Sequence, residues 1–415
     1  MKVVVIGGGV IGLCSAYYAQ QDGHEVTVID NQFEGAESTS TGNAGMIVPS
    51  HFVPLAAPGM IQMGLKMLLN PKSPFGFHFP PSVDQLLWTW NFYKAANPEH
   101  VQKTEVILRD LNLHSRREYE ALTEAIGVGF ELRKDGLLML CKKQSSLDHE
   151  AKLAQRANQI GVRAKVLSLP ELKEVETGAD LDVCGAVHFL DDASLTPQNL
   201  ISALRDHLTR HGATFVNLQS PTGFGKTKGK LDRVHTQIGE FAFDELVIAT
   251  GAWSGGMVRS LGLKMPMLAG RGYSMTIAKP PAMPKVCALL AEARVAITPM
   301  ENGLRVAGTM ELGPPSDYVN ENRVHGIVES VPQFYPQFSE ADLHGEPIWV
   351  GNRPCPPDGL PYIGRIKANP NVIVASGHGM MGLSLGPITG KLVSDLISNR
   401  STTLPLDQLD PNRYA

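Results

Sequence analysis

The chain opens on a run of β-branched residues, "KVVVI" at 2 to 6, the pattern of a parallel strand buried on both faces. "GGGVIGLCSAYYAQQDG" then turns into a helix ending near Gly23, and "HEVTVID" supplies a second strand closing at Asp30. Strand, helix and strand make a complete βαβ unit. Further on, "TPQNLISALRDHLTRHG" predicts a helix with Thr196 as N-cap, Pro197 in its first turn, Leu200, Leu204 and Leu208 on one face, and Gly212 as its stop. A strand "ATFVNL" and a meander of short polar strands follow, before "DELVIATGAWS" sends a buried strand out into Ala249, Thr250, Gly251, Ala252 and Trp253. Late in the chain, "NVIVASGHGMMGLSLGPITGKLVSDLI" repeats strand, glycine turn and helix, with Gly377, Gly379 and Gly382 in the turn. A Met-, Leu- and Phe-rich segment at 58 to 79 places Met60, Met63, Met67 and Leu68 near one helical face. That face is expected to pack into a core, a lip resting on a membrane being the alternative.

Composition narrows the partners. The 415 residues, 43% of them hydrophobic, suffice for two domains or one large one. The formal net charge is -4 with no run of five like charges, so nothing recruits a nucleic acid backbone and a small-molecule partner is expected. Five cysteines without CxxC or paired histidine spacing argue against a disulfide framework and a metal site, and fit a reducing cytoplasmic setting. The apolar run at the first strand is too short for a signal peptide, and no stretch is long enough for a transmembrane helix.

Within the βαβ unit Gly7, Gly9 and Gly12 stand at G-x-G-x-x-G spacing, with Val10 and Ile11 beginning the helix. The first glycine allows the tight turn, the second lets a pyrophosphate approach the backbone, and the third lets helix and strand pack closely. The helix N-terminus then faces the phosphates. Asp30, with Asn31 beside it, can accept hydrogen bonds from a ribose diol and would repel a 2′-phosphate, which disfavours NADP. "TGFGKTKGK" at 222 to 230 has the wrong glycine spacing for a second fingerprint and predicts a hairpin turn. With one dinucleotide site only, an FAD enzyme would be reduced by its own substrate.

Five stretches, "VVVIGGGVIGL", "STSTGNAGMIVPSHFVPLAAPG" (38 to 59), "RGYSMTI" (271 to 277), "GNRPCPPDGLPYIG" (351 to 364) and "SGHGMMGLSLG", carry a resemblance to a known family. As a set they resemble the FAD-dependent amino acid oxidoreductases related to D-amino acid oxidase, glycine oxidase and sarcosine oxidase, nearest the bacterial D-amino acid dehydrogenases. The resemblance implies an α/β fold in which a discontinuous Rossmann-like FAD-binding domain (1–85, 180–260 and 345–400) interleaves with an α+β substrate domain (86–179 and 261–344). The substrate domain would carry a mixed or antiparallel sheet, with 401–415 as a tail.

It further implies that the loop holding Ser38, Ser40, Thr41, Asn43, Ala44, Gly45 and Met46 crosses the isoalloxazine. The turns at Thr250, Gly251 and Trp253, and at Gly377, His378, Gly379, Met380, Met381, Gly382 and Leu383, would lie against the pyrophosphate and the pyrimidine side of the ring. Arg353 matches the arginine that binds the substrate carboxylate, in a segment stiffened by four prolines and three glycines. Tyr273 matches a tyrosine closing over the substrate, and His378 borders the flavin. Cys355 is expected to be an inert buried thiol rather than a flavin tether.

The activity implied is oxidation of a D-amino acid, D-proline or hydroxy-D-proline included, by hydride transfer from Cα to flavin N5. The imine then hydrolyses to a 2-oxo acid and ammonia. Electrons would pass to a quinone or an electron-transfer partner, with peripheral contact at the inner face of the cytoplasmic membrane. An oxygen-using oxidase of the glycine or sarcosine type, and a non-catalytic flavin-carrying subunit, stay open as alternatives.

Overall fold

The computed structural model describes residues 1–31, 38–68, 70–127, 129–217 and 221–415, so Leu218, the end of the expected "ATFVNL" strand, lies outside the described residues. Six strands form one sheet, in the order Tyr362–Ile366, Asn369–Ser376, Glu245–Ile248, Lys2–Ile6, Glu25–Asp30 and Thr214–Asn217. All its neighbours run parallel except the edge strand Tyr362–Ile366. The β-branched run at its centre is buried on both faces, as its pattern requires. Val3 and Val5 pack with Leu13 and Ala16, whereas Val4 and Ile6 pack with Leu246, Ile248, Val372 and Val374.

Helices Val10–Gln21 and Gly382–Ile397 lie together on the first of these faces. They approach so closely that a Cβ on Gly390 would stand 2.5 Å from the carbonyl of Cys14. The long helix Pro98–Ile126 joins them, its Tyr119 hydroxyl donating to Leu383 O at 2.6 Å.

A nine-stranded mixed sheet supplies the second layer, ordered Trp349–Cys355, Leu268–Ile277, Gly303–Gly313, Val295–Met300, Cys287–Leu290, Leu137–Cys141, Gly185–Phe189 and Ala164–Leu167. Phe75–Phe77 pairs beside Gly303–Gly313. Three of these strands, Phe75–Phe77, Gly185–Phe189 and Trp349–Cys355, come from stretches assigned by sequence to the cofactor side. Helix Pro98–Ile126, from a stretch assigned to the substrate side, packs instead against the first sheet's helices.

Other local expectations met the structure unevenly. The 222–230 segment is a hairpin, Gly223–Thr227 against Lys230–Thr236, with Lys228 and Gly229 both left-handed as a tight primed turn needs. Helix Pro197–Arg210 starts where expected, yet Thr196 does not cap it; its hydroxyl accepts from Glu301 N–H at 3.3 Å. Helix Met60–Leu68 buries none of its residues, which corrects the expected core packing of its methionine face: Met60, Met63, Met67 and Leu68 line a cavity instead.

Candidate active site

That cavity, of about 1020 Å³, is at the upper end for a small-molecule site and lies where the two sheets meet. One end is built from the glycine turn. Gly7 is left-handed (φ 116°), and a Cβ there would sit 2.4 Å from Ala249 O; a Cβ on Gly12 would sit 1.8 Å from Gly7 O. No side chain fits at either position. Gly7, Gly9, Val10, Ile11, Asp30 and Asn31 line the cavity, whereas Gly12 does only the packing. Asp30 accepts from Gly8 N–H, and from Asn31 N–H at 2.6 Å.

The middle is crossed by the loop after the βαβ unit. Ser38, Ser40, Asn43, Ala44 and Met46 line the cavity, and Thr41 and Gly45 do not. Ser40 Oγ accepts from Val10 N–H at 2.9 Å, tying this loop to the helix start. Three successive carbonyls are held by the second sheet: Arg305 donates to Thr41 O (3.3 Å) and Asn43 O (2.9 Å), and Ser274 Oγ donates to Gly42 O (2.9 Å). Beneath Gly42 lies the Trp349 indole, so near that a Cβ on Gly42 would stand 2.0 Å from it. Neither Arg305 nor Trp349 was visible to sequence reading.

Thr250, Gly251 and Trp253 line one flank, braced by Ser376 Oγ donating to Gly251 O at 3.0 Å. His378, Gly379, Met380, Met381, Gly382 and Leu383 line the other, at the start of helix Gly382–Ile397, whose N–H groups and positive dipole end suit an anion. Gly377 lies off the cavity. The His378 Nε2 is engaged with Thr389 Oγ1 at 3.0 Å, and burial pushes the imidazole pKa down to about 3, so this ring stays neutral.

At the far end Arg353 enters from strand Trp349–Cys355. Its Nη1 donates to Thr309 O at 2.7 Å, and its guanidinium covers Gly272, where a Cβ would be 2.0 Å from Nη1. Thr309 is a β-branched residue held left-handed (φ 71°), a conformation costing about 1–3 kcal/mol and typical of functional sites. Arg271, Arg323, Arg365 and Arg413 all pair with carboxylates. Arg353 has no such partner within 4.0 Å among the described residues, and burial lowers its pKa.

Tyr273 departs from expectation. It is fully buried off the cavity, its hydroxyl donates to Glu311 Oε2 at 2.5 Å and accepts from Asn320 N–H at 3.1 Å, and burial and Glu311 push its pKa up to about 12. Cys355 is buried away from the cavity, and burial pushes its thiol up to about 12.

The sequence pattern described as "FAD dependent oxidoreductase" matches residues 2–396. The chain belongs to this family. A Helicobacter pylori D-amino acid dehydrogenase is 29% identical over 396 residues, covering 95% of this chain and 94% of that protein. Among solved structures, glycine oxidase from Geobacillus kaustophilus superposes with a TM-score of 0.77 at 21% identity, over 100% of this chain and 98% of that one. L-Proline dehydrogenase from P. horikoshii gives 0.71 at 20% identity, over 100% and 97%. These two likenesses establish the fold.

The family's cofactor is FAD, and the residues present fit it. The side-chain-free turn at Gly7 leaves the backbone open to a pyrophosphate, and Asp30 lines the cavity at its strand end, where a carboxylate would suit a ribose diol. The Trp349 indole N–H is buried without a partner among the described residues, beneath the loop expected to meet the ring. No helix of the described residues is long and apolar enough to cross a membrane, and no cluster among them could hold a metal ion.

Proposed function

We propose that this oxidoreductase is a D-amino acid dehydrogenase, oxidising the Cα–N bond of a D-amino acid to an imine that hydrolyses to a 2-oxo acid and ammonia. The observation that carries the reading is Arg353: a half-buried guanidinium at the cavity wall, fixed by Thr309 O, and left without a carboxylate of its own among the described residues. Its planar fork is the complement of an α-carboxylate, and binding one there supplies the counter-charge that the half-buried cation lacks. Bound FAD supplies the two-electron acceptor for the Cα hydrogen.

The protein's own contribution is positioning. Arg353 orients the substrate, the carbonyl anchors on Arg305 and Ser274 stiffen the loop beneath it, and His378 stays neutral and engaged with Thr389 rather than exchanging protons. Ala296, Ala307, Met139 and Leu289 contribute apolar lining to the cavity. The curated relative's name supports the D-amino acid reading.

The electron acceptor in this reading is a quinone met at a lipid surface. Leu65 and Phe79 at the cavity rim, and Leu86, Leu87, Trp90 and Tyr93 on helix Val83–Ala95, are all exposed. Lys66, Lys72 and Lys94 outnumber Asp84 between residues 60 and 95, in a chain of net charge -4. Apolar and aromatic side chains beside lysines suit an anionic bilayer surface.

The test is anaerobic bleaching of the bound flavin by D- and L-amino acids, prolines included, followed by reoxidation with a soluble quinone or with oxygen. Bleaching by D enantiomers and reoxidation by quinone are expected. Bleaching by L enantiomers alone would overturn the reading, and stoichiometric peroxide would reassign the protein as an oxidase. A flavin that no amino acid bleaches would favour a flavin-carrying subunit.

A further inference from the structure

A histidine outside the expected constellation also lines the cavity. His51 follows the two-residue strand Met46–Ile47, which pairs with Ala193–Ser194, and Asp192 just before that partner strand is fully buried. Ser50 N–H donates to Asp192 Oδ1 at 2.9 Å, Ser50 Oγ lies 2.5 Å from Oδ2, and the same Oγ lies 3.1 Å from His51 Nδ1. The ring is thereby fixed through Nδ1. Its Nε2 has no hydrogen-bond partner among the described residues.

Arg294 lines the same cavity from the turn between Cys287–Leu290 and Val295–Met300, left-handed at φ 55° and without an ion pair among the described residues. Arg294 and, through Ser50, Asp192 are the ionisable groups acting on His51, and burial pushes the Asp192 carboxyl up to about 8. The sheet register ties this corner to Arg353. Ala296 pairs with Ala307, so the start of that strand lies one strand, about 5 Å, from the Gly308–Thr309 segment, and Thr309 O holds the Arg353 guanidinium. Carboxylate anchor and Arg294 thus stand about one strand apart, and His51, which feels the Arg294 charge, lines the same cavity.

We infer that His51 is a specificity-determining residue, presenting a fixed imidazole nitrogen to the substrate side chain, and that the preferred substrates carry a side-chain hydroxyl. The inference rests on the amino acid reading above. Burial and Arg294 push the His51 pKa down to about 4, so the ring is neutral in use. With Asp192 ionised, the Ser50 proton points at it, Nδ1–H donates to Oγ, and Nε2 offers a lone pair. With Asp192 protonated, the chain can run the other way and Nε2 carries N–H. A hydroxyl both donates and accepts, so it meets either form and can also accept from Arg294. An alkyl side chain leaves Nε2 unpaired, and a cationic one meets Arg294.

The experiment uses the FAD-loaded full chain and three matched pairs: D-serine against D-alanine, D-threonine against D-valine, and a hydroxy-D-proline against D-proline. Wild type should favour the hydroxyl member in kcat/KM by about tenfold or more, mostly through KM. His51→Leu should collapse that ratio to about one, and His51→Gln, which keeps a polar atom there, should restore part of it, each variant being first matched for FAD content and Tm. A wild-type ratio near one in all three pairs, or equal ratios in wild type and His51→Leu, would overturn the inference while leaving the amino acid reading intact. A wild-type flavin that none of the six substrates bleaches would defeat the amino acid reading itself, and this inference with it.

Discussion

Gly272→Ala tests the carboxylate anchor without touching its charge. The added methyl would start 2.0 Å from Nη1, 2.4 Å from Nη2 and 2.5 Å from Cζ of Arg353, against an ordinary contact of at least 3.4 Å. The guanidinium must therefore retreat by roughly 1.4 Å, which lengthens the 2.7 Å bond to Thr309 O past hydrogen-bond range. Gly272 is not left-handed, so alanine strains no backbone there, and the displaced group is the end of a flexible side chain. Stability should change by about 1 kcal/mol or less. Binding should suffer more: a misplaced charged contact costs about 1.5–3 kcal/mol, a loss of about 10- to 100-fold in kcat/KM. Anaerobic titration of the flavin band with a D-amino acid reads the affinity, and a thermal melt reads the fold. A Gly272→Ala protein that titrates like wild type would show that Arg353 does not hold the substrate in this position.

Three further substitutions probe the surroundings. Arg305→Met removes the donor to Thr41 O and Asn43 O, each such bond worth about 1.5–3 kcal/mol, so FAD retention through gel filtration should fall; undiminished retention would mean the loop holds itself. Arg413→Ala breaks a pair with Asp358 (2.7 and 3.0 Å) and a stack 3.9 Å from the Tyr362 ring, beside the proline-rich segment, at a cost of about 3–5 kcal/mol that a fall in Tm would register. His378, held down to about 3 from an ordinary 6.5, binds its proton only on unfolding, so stability should decline as pH drops from 6.5 at up to about 1.4 kcal/mol per pH unit. Denaturant midpoints for His378→Gln should therefore change less between neutral and mildly acidic pH than those of wild type.

Features that depend on neighbours in the chain were legible beforehand. Gly7 and Gly12 obey local steric rules, and the strand, turn and helix at 369 to 397 announce themselves by periodicity. Arg353 stood out because prolines and glycines surround it. Tyr273 lies off the cavity for a reason of pleating: alternate residues on a strand face opposite ways, and Gly272, one residue earlier, takes the face under the guanidinium while Tyr273 points to Glu311. Trp349, Thr309, Arg305 and the Asp192–Ser50–His51 chain left no signal. Their roles arise only when strands far apart in sequence come into register, and an isolated tryptophan or histidine has no spacing to betray it. The methionine helix at 60 to 68 has the right amphipathic spacing, but its apolar face meets a cavity, and periodicity alone does not distinguish a cavity from a core.

The central neighbours in the parallel sheet, Val4, Leu246 and Val372, are drawn from the beginning, middle and end of the chain, and the second sheet draws its strands from the gaps between them. Such wiring makes folding slow, because loop closures over hundreds of residues must precede most of the reward. It also makes folding indivisible. A proteolytic fragment that retains the glycine turn but lacks the last strand has no complete parallel sheet on which to hold a dinucleotide, so limited digestion should yield either the intact protein or small peptides, and no flavin-carrying half.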